Sequence, residues 1–126
     1  MASQRVNLGS GTEFESLVGY SRAVRVGPHV AVSGTTGAGD DVVAQTRHAL
    51  QRIQQALRDV GADLSDVIRT RMYVTDISQW RGIGAVHAEF FGANPPAATM
   101  VEVSALIEPG LLVEIEADAY LDGSNG

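Results

Sequence analysis

The chain has 126 residues, a net charge of −6 and an isoelectric point of about 4.8. That length holds one domain with one core, residues 1–126 forming a single unit, and a hydrophobic content of 44% is enough to pack it. The acidic balance speaks against nucleic acid or an anionic membrane surface as the main partner, and the absence of cysteine excludes disulfides, thiolate metal sites and a cysteine nucleophile.

Residues 4–8 fit a short edge strand. Residues 9–16, GSGTEFES, are rich in turn formers and polar groups and read as a loop. Residues 22–26 and 29–33 are β-branched runs separated by Gly27-Pro28, which signals a hairpin. Residues 34–39, GTTGAG, form a loop before a helix over residues 41–60. Val42, Ala49, Leu50, Ile53, Leu57 and Val60 give that helix one apolar face, and Arg47, Gln51, Gln54 and Arg58 give it a polar one. Asp40 or Asp41 can cap its start, and Gly61 suits the left-handed position past its end.

Residues 67–75 form a strand, with Ile68, Thr70, Met72 and Val74 on one face and Arg69, Arg71 and Tyr73 on the other. A second helix spans residues 78–91, although Gly82 and Gly84 each cost about 1 kcal/mol there relative to alanine. Asn94-Pro95-Pro96 then forces an extended chain. Residues 95–120 read as two strands joined by a short turn. On the last of them Leu111, Val113, Ile115, Ala117 and Ala119 share one face, and Glu114, Glu116 and Asp118 share the other. The order β-β-α-β-α-β-β predicts an α+β domain with two helices on one face of a mixed sheet. The other face is left bare, as for an oligomer contact.

The loop at residues 33–39 sits where phosphate loops occur, but it lacks a P-loop lysine, and Asp40 and Asp41 would repel phosphate. A tight turn is the better use of its glycines. His29, His48 and His87 have no metal-ligand spacing, and His87 reads as a structural residue of the second helix. No nucleophile elbow is present. The three carboxylates of the last strand carry two readings. They can be a solvated or ion-paired face matched by Arg69 and Arg71, or one of them can line a cleft and act as a general base on water.

Gly19-Tyr20-Ser21, Val30-Ala31-Val32-Ser33-Gly34, residues 45–57 with Gly61-Ala62, residues 67–76, Phe90-Phe91, Pro96-Ala97, Val101-Glu102-Val103 and Val113-Glu114-Ile115-Glu116-Ala117 stand in a familiar order. Through them, over nearly all its length, the chain resembles the Rid (reactive intermediate deaminase) family, also called the YjgF or L-PSP endoribonuclease family. The resemblance implies a chorismate-mutase-like α+β fold. It implies a homotrimer with sheets inward, helices outward and clefts between subunits; a cytoplasmic protein is expected separately, because no apolar run approaches the roughly 20 residues of a membrane span and the N-terminal stretch has no signal layout. The resemblance further implies hydrolysis of enamines and imines to keto acids and ammonia with no metal or organic cofactor.

By the same resemblance, Tyr20 matches a cleft-lining tyrosine, Gly34 a glycine of the second strand, and Glu114 the glutamate that positions the attacking water. Thr99 and Met100 stand where deaminating members often have serine and cysteine. Ala98 departs from the pattern, because deaminating members carry there an arginine that grips the substrate carboxylate, and alanine cannot replace its bidentate bonds. Gly84 also replaces a common asparagine. Arg22, Arg69 and Arg71 are the remaining candidates for a cleft cation. Three functions follow in order: a hydrolase or deaminase of an enamine- or imine-type molecule other than a simple 2-imino acid, a non-catalytic small-molecule-binding or regulatory trimer, and an endoribonuclease.

Overall fold

The computed structural model describes residues 5–122. Its strands are β1 (Arg5–Leu8), β2 (Ala23–Val26), β3 (His29–Thr35), β4 (Val67–Val74), β5 (Ala97–Glu102) and β6 (Val113–Tyr120). Its helices are α1 (Glu13–Val18), α2 (Val42–Asp59) and α3 (Trp80–Phe91). One mixed sheet runs in the order β1-β2-β3-β6-β4-β5, antiparallel throughout except for the parallel pair β4–β5. The expected edge strand is β1; Gln4 lies outside the described residues. No helix among them is long and apolar enough to cross a membrane.

Helix α2 follows its sequence signals closely. The Asp41 carboxylate accepts from the Ala44 N–H at 2.8 Å and so caps the first turn. Gly61, at φ 89°, takes the left-handed position past the end. There the Arg25 guanidinium donates to the Val60 carbonyl at 2.6 Å, satisfying one of the carbonyls that a helix end leaves free. Leu50, Ile53 and Leu57 are fully buried against the sheet, each stabilising the fold by about 1.5–3 kcal/mol. Helix α3 lies beside α2, and Gly82 allows a close approach: a Cβ there would come within 3.0 Å of the Val43 methyl. The core is sandwiched between these helices and one sheet face, where Val30, Val32, Thr70, Met72, Val74, Val113, Ile115, Ala117 and Ala119 are buried.

Three expectations need correction. Residues 9–16 are not all loop, because Glu13–Val18 forms α1. The Ser10 and Thr12 side chains donate to the Glu15 carboxylate, fixing the first turn, and Gly19 at φ 88° closes the last. Six residues with no buried side chain give no apolar periodicity to detect. Ile68 does not share the face of buried Thr70, Met72 and Val74 but is 57% exposed, because the β4–β6 register shifts between Val67 and Arg69 and a bulge reverses the alternation there. Residues 95–120 are not a hairpin. β4 lies between β5 and β6, and residues 103–112 make the crossing.

Candidate functional site

The open sheet face and the C-terminal end of β3 build a groove of about 560 Å³. Strand β6 supplies Glu114 and Glu116, and the end of β3 supplies Ser33 and Gly34. Phe14 and Val18 of α1 with Tyr20 form one wall, and Ile107, Glu108 and Leu111 of the crossing segment form another. Buried Gln45 on α2 braces that segment. Its amide donates to the Gly39 and Gly110 carbonyls at 3.2 and 3.0 Å, and its oxygen accepts from the Leu112 N–H at 2.8 Å. A buried amide satisfied on both sides stiffens what it joins.

Glu114 is the central group. It is half-buried, and no hydrogen bond among the described residues holds its carboxylate. Its pKa lies above the usual carboxylate value. Burial is the main cause, the nearby negative charge of Glu116 adds to it, and Arg22 opposes both. Gly34 explains how the carboxylate fits. A Cβ at position 34 would stand 2.8 Å from the Glu114 carboxyl carbon and one of its oxygens. The β3–β6 register shifts between Val32 and Thr35, so Gly34 sits at an irregularity that aims backbone toward the groove.

Arg22 lies beneath this point, only 7% exposed. Its guanidinium donates to the Gly34 carbonyl at 2.6 Å and stands 5.8 Å from the Tyr20 ring centroid. Its Nε is buried without a hydrogen-bond partner. Arg52 of α2 joins it in the groove and donates to the Thr36 carbonyl at 2.7 Å. The helix pattern did not single out Arg52. The available signal was its place three residues from Ala49 and next to Ile53, at the border of the apolar face.

The sequence-derived site residues therefore divide. Tyr20, Gly34 and Glu114 come together in this groove, with Arg22. Ala98, Thr99 and Met100 do not: they lie on β5 and pair with Thr70, Arg71 and Met72 of β4, which separates β5 from β6. Arg71 does not line the groove; it pairs with Glu116 at 3.5 Å and Asp118 at 3.1 Å. Arg69 makes neither contact. The ion-paired reading thus holds for Glu116 and Asp118.

The remaining motifs resolve as structure. A Cβ at Gly37 would fall 2.2 Å from the Gln45 carbonyl oxygen, so this glycine serves close packing against α2. The first turn of α2 is capped by Asp41, and that carboxylate stands where a phosphate would need to approach. His48 is exposed and accepts from the Ala38 N–H at 2.8 Å. His87 meets the Thr70 hydroxyl at 2.9 Å and packs on Phe91, with its pKa lowered by burial. A smaller hollow of about 260 Å³ gathers Asp40, Asp41 and Asp76, but Asp41 and Asp76 are engaged in capping Ala44 and Ser78. Among the described residues no group of three or more metal-ligating side chains is suitably placed.

A mixed six-stranded sheet with helices on one face and a glutamate-centred groove beside it defines an α+β domain of the YjgF type. The family model described as endoribonuclease L-PSP matches residues 10–121, so the chain belongs to that family, the Rid or YjgF group. The crystal structure of Rv2704, a YjgF/YER057c/UK114 family member from Mycobacterium tuberculosis, is 67% identical. The match covers 93% of this chain and 99% of that one, with a TM-score of 0.92. A Rid-family protein of unknown function from Yersinia pestis, YyfA, is 28% identical over 91% of this chain and 94% of that one, with a TM-score of 0.78. A RutC family protein of Pyrococcus abyssi is 35% identical over 109 residues, 80% of this chain and 85% of that protein.

Proposed function

We propose that this protein is a cofactor-free hydrolase that adds water to the C=N bond of an imine, or of an enamine through its imine tautomer. The observation that carries this reading is the unpaired, half-buried Glu114 carboxylate against Gly34, with its pKa raised toward the range of a working base. Glu114 takes a proton from water as the oxygen attacks the imine carbon. The proton passes to nitrogen, the carbinolamine collapses, and ammonia leaves a carbonyl product. Tyr20 supports the substrate from the groove wall. The chain contains no lysine and no cysteine, so neither a lysine Schiff base nor a thiol adduct is available to carry the reaction.

The complete site belongs, in this reading, to a homotrimer in the cytoplasm. The uncovered sheet face makes the contact, and the Ala98–Met100 strand of a neighbouring copy borders the groove. Alanine at 98 supplies no guanidinium from that side, which argues against simple 2-imino acids as substrates. The test is ammonia release from a panel of imines and enamines that includes 2-iminobutyrate. Glu114→Gln should lower turnover by about 100-fold or more, as expected for loss of a general base. Turnover that survives this substitution sinks the proposal.

Ala98 also favours a second reading, a trimer that binds a small molecule without turnover. It predicts ligand-dependent melting with no chemical step in any variant. Endoribonuclease action, suggested by the family's name, ranks third. Glu108, Glu114 and Glu116 line the groove and would repel a phosphodiester chain.

A further inference from the structure

Arg22 and Arg52 stand together, and neither is in a salt bridge among the described residues. Both line the groove that holds Glu114, and both line the adjoining hollow beside Leu8 and Asp59. No carboxylate among the described residues lies within ion-pair distance of either, whereas Arg47, Arg58 and Arg71 each have one. Each guanidinium is instead oriented by a backbone carbonyl, Arg22 by Gly34 and Arg52 by Thr36, two residues apart at the end of β3. Fixing two like charges side by side is unfavourable. Their mutual repulsion, after burial, holds Arg22 below the ordinary guanidinium pKa. The buried Nε of Arg22 has no acceptor. Glu15 and Glu114 act on Arg22 without touching it, so two adjacent guanidiniums with no direct carboxylate contact mark a place that a bound anion can fill.

We propose that Arg22 and Arg52 form a subsite for a carboxylate group of the substrate, gripping it from within the subunit and taking over the charge recognition that Ala98 lacks. This rests on the hydrolase reading for the reacting centre, but not for the anion site itself. Gly34 links the two: its carbonyl holds Arg22, and its α-carbon abuts Glu114. A bound carboxylate and a reacting C=N carbon then lie along one small molecule in the groove. A monoanion fits better than a phosphate dianion, because Glu108, Glu114 and Glu116 line the same groove and repulsion grows with ligand charge. The substrate class is a carboxylate-bearing imine or enamine whose carboxylate enters from the α2 side.

Calorimetric titration of the full chain with benzoate, its neutral isostere benzamide and inorganic phosphate tests this. Benzoate should bind at least about tenfold tighter than benzamide, the effect of one charge-assisted hydrogen bond. Arg52→Gln, at a half-buried position that can be replaced without opening the core, should remove that preference. Glu114→Gln should keep it or strengthen it, since a nearby negative charge is lost. Equal binding of benzoate and benzamide, a preference that survives Arg52→Gln, or phosphate binding as tightly as benzoate would each overturn the subsite. Benzoate selectivity without ammonia release from any imine would leave the subsite standing and sink only the hydrolase.

Discussion

Glu114 and Glu116 are two residues apart on the same face of one strand, yet their surroundings are opposite. Glu116 accepts from the Tyr73 hydroxyl at 2.9 Å and shares Arg71 with Asp118. Glu114 has no such partner. It faces Gly34 and the groove, and its pKa is raised where Glu116 is held in a network. The difference comes from the flanking strands. β4 offers a tyrosine and an arginine to one end of the carboxylate row, and the irregular end of β3 offers a glycine to the other. A row of three like charges becomes one unpaired group and one ion-paired cluster through its neighbours alone.

The largest change to that contrast should come from filling the space beside Glu114. Gly34→Ala places a methyl 2.8 Å from the carboxyl group, and the flexible glutamate must rotate away. Position 34 has no left-handed backbone, so the fold should lose less than about 1 kcal/mol, while turnover falls by about tenfold or more from misplacement of the base. Parallel kinetics and thermal melting check both halves; a stability loss equal to that of a core mutant would show that Gly34 serves packing instead.

Next in size is the effect of pH on stability. The folded pKa of Glu114 is raised, so its ionisation opposes folding. Its contribution is fully favourable below the unfolded carboxylate pKa and is lost as pH rises through the folded value. The melting temperature of Glu114→Gln should therefore gain on that of the native chain as pH rises from about 4 to 8. A difference that stays constant across this range would remove the assignment of a raised pKa to Glu114.

The smallest effect is expected at the paired end. Arg71→Ala leaves Glu116 and Asp118 without their cation. All three side chains are 31–40% exposed, so screening limits the loss to about 1 kcal/mol or less. Added salt should shrink it further, and benzoate binding in the groove should not change. Altered benzoate binding would mean that the two ends of the carboxylate row are one electrostatic unit.

Much of this was legible from local pattern. Helix α2, its Asp41 cap and Gly61 follow from apolar spacing and end signals, because both are encoded within a few turns. The alternation of β6 separated Glu114 from the core because strand geometry has a period of two. The Gly27-Pro28 hairpin was likewise local. Helix α1 escaped because it buries nothing. Ile68 was misplaced because a bulge depends on the partner strand as much as on its own. The insertion of β4 between β5 and β6 was hidden because strand order is a matter of non-local pairing.

The sequence by itself determined the elements other than α1, the face on which the three carboxylates stand, and the absence of a guanidinium at position 98. Only the tertiary structure decided that Glu114 is the unpaired carboxylate, that Gly34 makes room for it, and that Arg22 and Arg52 meet without a salt bridge. The physical reason is range. Propensity and periodicity act over a few residues, whereas a carboxylate's partners and an arginine's unmatched charge are set by strands and helices brought together from distant parts of the chain.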